Sequence, residues 1–162
     1  MREAALDNQW ALVLGASSGF GVATAARLAE AGMNIIGIHL DRRGTMGNVE
    51  NIVDLIENTH KRSAIFINMN AADEAKRREA IETIKDNLDP VNSSKGVRIL
   101  LHSLAFGTLA PLISRKDGEN TITQRQMEMT LDVMGNSLVY WTQDLLSADL
   151  LSQGSKIYGM TS

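Results

Sequence analysis

The stretch best equipped for chemistry is "GASSGFG", residues 15 to 21. Gly15, Gly19 and Gly21 stand in a G-x3-G-x-G spacing, just after the apolar run "WALVLG" and just before Val22, Ala25, Ala26 and Ala29 at helical spacing. Each glycine has a physical use in such a turn. The first allows a tight exit from a strand, the second lets backbone approach a phosphate without a Cβ, and the third lets a helix pack close to the sheet. The unpaired N–H groups and positive dipole end of that helix favour a pyrophosphate. Ser17 and Ser18 add hydroxyl donors, and Phe20 stands inside the same loop. Glycine turns are common. One placed on the first strand–turn–helix of an alternating chain is the setting of a dinucleotide site.

The elements needed to hold this loop follow along the chain. Short β-branched or apolar runs at 10–15, 34–40, 63–69, 96–105 and 155–160 read as strands. Between them, 22–31, 49–60, 72–88 and 123–151 carry apolar residues at helical spacing, with Gly32 closing the first helix and Gly135 weakening the last. Strands alternating with helices imply βαβ units and a parallel sheet, and near-continuous apolar strands imply a sheet covered on both faces. The expectation is an α/β fold: a three-layer, doubly wound, Rossmann-like parallel sheet in a single domain over 1–162.

Composition narrows the function. With 162 residues, 44% hydrophobic, 22% charged and a net charge of -3, the chain suits one globular domain. Mild acidity argues against a general nucleic-acid binder, which needs clustered cations. The absence of cysteine excludes disulfides, thiolate metal sites and a cysteine nucleophile, and fits a cytoplasmic setting. No His, Asp or Glu set has metal-ligand spacing. No apolar run approaches the roughly 20 residues a membrane span needs, and "MREAALDNQW" carries no secretory core, so no membrane role is expected.

The loop spacing and its surroundings resemble the short-chain dehydrogenase/reductase family. "LVLGASSGFG" is similar to that family's cofactor loop, and "GSKIYGMTS" to its fifth strand, where Ser162 matches the catalytic Ser. "HSLAFG" stands where most members carry Asn-Asn-Ala-Gly and is closer to the enoyl-acyl-carrier-protein reductase branch. In "DVMGNSL", Met134 occupies the place of the family's helix Asn, a second departure in the same direction; Asn136 would point elsewhere on an ordinary helix. The resemblance implies hydride transfer between NAD(P)(H) and an enoyl thioester or a carbonyl. In the carbonyl case Ser162 would hydrogen-bond the substrate oxygen, and a Ser there is the mark of carbonyl-reducing members.

The same resemblance implies the remaining contacts. Gly15, Ser17, Ser18, Gly19, Phe20 and Gly21 would hold the pyrophosphate. His39, Leu40, Asp41, Arg42 and Arg43 would stand at the adenine ribose. His39 replaces the Asp of NAD-preferring members, so repulsion of a 2′-phosphate is lost there, and Arg42 or Arg43 could grip that phosphate. NADP(H) is therefore preferred, with NAD(H) open if Asp41 serves the ribose instead. Met69, Asn70 and Ala71 would line the adenine pocket. Ser103, Leu104 and Ala105 would run beside the ribose and nicotinamide. His102 is expected as a strand-end residue with its own hydrogen bonds.

One part of the family pattern is missing. In the family the catalytic Tyr is followed by a Lys one helical turn later, or at a longer spacing in enoyl reductases, and that Lys lowers the Tyr pKa. Here Tyr140 is followed four residues on by Asp144, and Tyr158 by Ser162. Both tyrosines are expected to be packing residues. The chain thus resembles roughly the N-terminal two thirds of such an enzyme, truncated after the fifth strand and inactive alone. That strand should then be an exposed edge. The 123–151 helix carries more apolar residues than one face can bury, and in the resembled family this helix packs in a subunit interface, so the resemblance implies a homo-oligomer through it. The alternative reading is a dinucleotide-binding module without catalysis.

Overall fold

The structure, a computed structural model, describes residues 6–88, 96–114 and 120–161. Its core is one parallel sheet of strands β1 (Trp10–Leu14), β2 (Asn34–His39), β3 (Ala64–Asn68), β4 (Val97–His102) and β5 (Leu151–Gly159), in the order β3-β2-β1-β4-β5. The order reverses between β1 and β4, and a crevice opens outside the carboxyl ends of strands at such a switch point. Register brings those ends level: Leu14 pairs with both Ile38 and His102, Ile38 with Ile67, and His102 with Gly159.

Helices α1 (Gly19–Glu30), α2 (Met46–Asp54) and α3 (Glu74–Asn87) follow the first three strands. After β4 come α4 (Gln124–Leu131) and α5 (Ser137–Ser147). Period-two alternation sorts the strand residues onto two faces. Leu12, Leu14, Ile36 and Ile38 pack with Ile81 and Ile84 of α3 and Trp141 and Leu145 of α5. Ala11, Val13 and Ile35 pack with Ala25 and Ala29 of α1 and Ile52 on α2. Both faces are buried, which is why the strands read as unbroken apolar runs. Gly32 and Met33 donate their N–H groups to the carbonyls of Ala29 and Leu28, ending α1 where the sequence suggests. Among the described residues no helix is long and apolar enough to cross a membrane.

Three features differ from expectation. The 123–151 segment is one helical rod only in outline: a π-helical turn at Asp132–Asn136 separates α4 from α5, and a second, Leu55–Thr59, ends α2. β5 begins earlier than 155, because Leu151 pairs with Val97 before the register slips and resumes at Lys156 with Ile99. The slip is held by Ser155 Oγ donating to the Val97 carbonyl and Arg98 Nη1 donating to the Gln153 carbonyl. Tyr158, expected to pack, is 52% exposed; among the described residues β5 pairs with β4. On α4 and α5, Trp141 and Leu145 are buried while Met127, Leu131, Val139 and Leu146 stay exposed.

Candidate functional site

A cleft of about 270 Å³ lies at the switch point, lined by residues from the ends of β1 to β4 and from the π-helical turn before α5. Its floor is the glycine loop. Gly15 and Ala16 donate N–H bonds to the Ile38 carbonyl, and Ser103 donates to the Leu14 carbonyl, so the loop is tied to both flanking strands. The ties leave no spare space. A Cβ on Gly15, at φ +89°, would stand 2.4 Å from the Ser103 carbonyl oxygen, and one on Gly21 would stand 1.9 Å from that of Gly15. Gly19 is different: a Cβ there would meet nothing within 4 Å. That glycine borders open cleft rather than protein.

α1 starts at this point. Its cap residue Ser18 is extended, its side chain makes no capping bond, and the first turn carries no acidic residue. The first N–H groups of a helix lack intrahelical partners, and here they adjoin the cleft through Gly19 and Phe20. Donors, dipole end and open space together fit a bound pyrophosphate.

The structure brings most of the expected residues to this cleft. Gly15, Ser17, Ser18, Gly19 and Phe20 line it, with His39 and Leu40 from the end of β2, Met69, Asn70 and Ala71 from the end of β3, and Ser103, Leu104 and Ala105 from the end of β4. Gly21 lies beneath, against Gly15. Arg42 and Arg43 are exposed on the turn beyond β2 and do not line the cleft. Ser162 lies outside the described residues. Ile38, Phe106 and Val133 line the cleft too and were not anticipated. Phe106 is the next residue after a predicted run. Val133 had no such signal, because it is the π-helical turn that carries it there.

The β2 end is pinned. His39 is 3% exposed, and its Nδ1 lies 2.9 Å from Asp41 Oδ2. Asn68 clamps the backbone of Asp41 from both sides, accepting its N–H at 3.1 Å and donating to its carbonyl at 2.9 Å. Burial works to raise the Asp41 carboxyl, but hydrogen bonds from Ser17, Thr45 and His39 outweigh it and hold the group below its ordinary value. A carboxylate therefore stands against the glycine loop through Ser17, although the strand-end residue itself is histidine. At the β3 end, Asn70 Oδ1 accepts the Ala72 N–H at 3.0 Å, and its side-chain N–H groups are donors that this bond does not use.

His102, the last residue of β4, is 2% exposed. Its Nε2 lies 2.9 Å from Ser137 Oγ, and that hydroxyl donates to the Val133 carbonyl at 2.7 Å. The serine proton is thus committed to Val133, so Nε2 carries the imidazole hydrogen. Burial lowers the His102 pKa, with the carbonyls of Val133 and His102 acting the other way. A neutral histidine spent on Ser137 supports the π-helical turn and is not a free base. Tyr140 donates its hydroxyl to Asp132 Oδ1 at 2.8 Å, and that bond, with burial, raises its pKa. An activated tyrosine needs the opposite shift. Among the described residues no group of His, Asp and Glu could hold a metal ion.

Comparison with known proteins agrees with the fold. A family model described as short chain dehydrogenase matches residues 9–157. None of the curated proteins matches the chain significantly in sequence. Among solved structures, a blue fluorescent protein from a metagenomic library, in complex with NADPH, superposes with a TM-score of 0.78 at 25% identity, over 97% of this chain and 57% of that one. A short-chain dehydrogenase/reductase from Serratia marcescens gives 0.74 at 20%, over 94% and 55%. L-sorbose reductase from Gluconobacter frateurii, complexed with NADPH and L-sorbose, gives 0.69 at 14%, over 88% and 48%. The chain therefore spans about half the length of these structures.

Proposed function

The chain belongs to the short chain dehydrogenase family, and from that premise we propose that the switch-point cleft binds a nicotinamide dinucleotide and that the full-length protein is an oxidoreductase. The observation that carries this reading is Gly19, a glycine at the start of α1 with open cleft where its side chain would be. In this reading the loop N–H groups, Ser17 and Ser18 hold the pyrophosphate. The β2 end takes the adenine ribose, Met69, Asn70 and Ala71 take the adenine, and Ser103, Leu104 and Ala105 guide the nicotinamide half. When bound, the dinucleotide supplies the hydride. Leu104, Phe106 and Val133 line the cleft on that side.

The proposed cofactor is NADP(H). Two relatives of the same fold are in complex with NADPH. Arg42 and Arg43 are exposed beside the β2 end, where a guanidinium can fork onto a 2′-phosphate. NAD(H) is the second reading, and its support is the Asp41 carboxylate held at Ser17. The proposed substrate is an enoyl thioester or a carbonyl compound, reduced by one hydride and one proton. "HSLAFG" supports the former; a Ser at 162 supports the latter. Self-association through the 124–147 region also belongs to this reading, supported by exposed Met127, Leu131, Val139 and Leu146. An alternative without catalysis is favoured by one fact: within this sequence neither tyrosine is followed four residues on by lysine.

The test is oxidation of NADPH and NADH by the full-length protein, with a crotonyl thioester and a series of ketones as acceptors. Acceptor-dependent loss of nicotinamide absorbance supports the oxidoreductase. Dinucleotide binding without turnover of any acceptor supports the binding module.

A further inference from the structure

The β3–α3 loop forms one wall of the cleft, and two of its successive carbonyls are held from behind. The Ala71 carbonyl accepts the indole N–H of Trp141 at 3.0 Å, and the Ala72 carbonyl accepts Arg77 Nη1 at 2.6 Å. Arg77 Nε donates to Asp144 Oδ2 at 2.8 Å, so the second tether also ends on α5. Trp141 is fully buried and Arg77 is 6% exposed. The guanidinium lies 4.7 Å from the centre of the Tyr140 ring, which adds a cation–π contact to the same helix. Neither Trp141 nor Arg77 lines the cleft.

Such tethers cost more than packing requires. A buried Arg needs its charge matched, and an indole N–H inside a core needs an acceptor. Asp144 on α5 matches the charge, while the loop carbonyls of Ala71 and Ala72 accept the indole N–H and one guanidinium N–H. Ala71 faces two ways: its residue lines the cleft and its carbonyl is bound to α5. We infer that Trp141 and the Arg77–Asp144 pair are positioning residues, which set the Met69–Ala71 wall from α5 and thereby the affinity for the adenosine half of a dinucleotide. This rests on the reading of that wall as the adenine side. The residues act through Ala71 and Ala72 and touch no ligand.

The experiment compares the full-length protein with Trp141→Phe, which removes the indole N–H together with some packing, and Asp144→Asn, which is isosteric and removes the charge. Ile84→Ala, which removes packing from the same buried layer but no hydrogen bond to the loop, is the control for lost packing. Adenosine 2′,5′-bisphosphate and nicotinamide mononucleotide are the probes, and amide hydrogen exchange is followed at residues 71–73. The expected result is a rise of about three- to tenfold in the dissociation constant of the bisphosphate for both loop variants. The mononucleotide constant stays unchanged, and exchange at 71–73 quickens. Ile84→Ala lowers the melting temperature without moving either constant. Unchanged bisphosphate binding in both loop variants, or an equal loss in Ile84→Ala, overturns the inference. If the unsubstituted protein binds neither the bisphosphate nor adenosine 5′-monophosphate, the adenine reading fails by itself. Exchange then decides on positioning: unchanged exchange at 71–73 in Trp141→Phe overturns it, and selective quickening upholds it.

Discussion

At the residue scale, the three loop glycines make separable demands. Gly21→Ala drives a Cβ into the Gly15 carbonyl, 1.9 Å away, and the loop and α1 must part. The expected cost is about 3 kcal/mol of stability. Gly19→Ala meets no atom, and its only cost is a positive φ of 54°, about 1 kcal/mol. The Gly19 variant should therefore melt close to the parent yet bind NADPH at least about tenfold more weakly, since its methyl enters the cleft. Thermal melts beside binding titrations separate the two. These positions were legible because a backbone constraint is written directly in residue identity. His102 was legible as a strand-end residue, but its partner Ser137 was not, since 35 residues separate them. A second prediction concerns pH. The His102 pKa is lowered from 6.5 in the fold, so the unfolded chain takes up the proton first as pH falls. Stability from this group is complete above 6.5 and drains away from there down toward the lowered folded value. His102→Gln, which keeps a donor for Ser137, should flatten the slope of melting temperature against pH in that window. An unaltered slope would contradict this account of the buried imidazole.

At the element scale, strand identities and order were readable from apolar runs separated by helical periods. Two kinds of feature were not. Hydrophobic period reports an average turn, so it cannot register the one wide turn at Asp132–Asn136 that carries Val133 into the cleft. Nor does it report pairing slips, and the irregular join of β5 to Val97 and Ile99 depends on Ser155 and Arg98 finding backbone partners. Gly135 was read as a weak point of the helix, and it falls inside the wide turn. A Cβ there would meet nothing within 4 Å. Gly135→Ala should therefore add about 0.5–1 kcal/mol by restricting the unfolded chain, raising the melting temperature by about 2 °C. A drop in melting temperature would show that the turn itself requires glycine.

At the scale of the whole molecule, two apolar layers pack against the two faces of the sheet, while Ile157 and Tyr158 on β5 and Met160 just beyond it are exposed among the described residues. The lining of the cleft was largely legible because one architecture brings four strand ends level, and a residue placed at a strand end is thereby placed at the cleft. Arg42 and Arg43 escaped that logic: they stand beyond the strand end, on a turn whose direction is set by Asn68 clamping Asp41. The central claim is that the cleft is a nicotinamide dinucleotide site. Its most direct test is calorimetric titration of the full-length protein with NADPH and then NADH. Saturable binding at one dinucleotide per chain, tighter for NADPH, is predicted, with a rise in melting temperature that grows with ligand concentration. A folded protein that takes up neither dinucleotide, and whose melting temperature neither one moves, would contradict it.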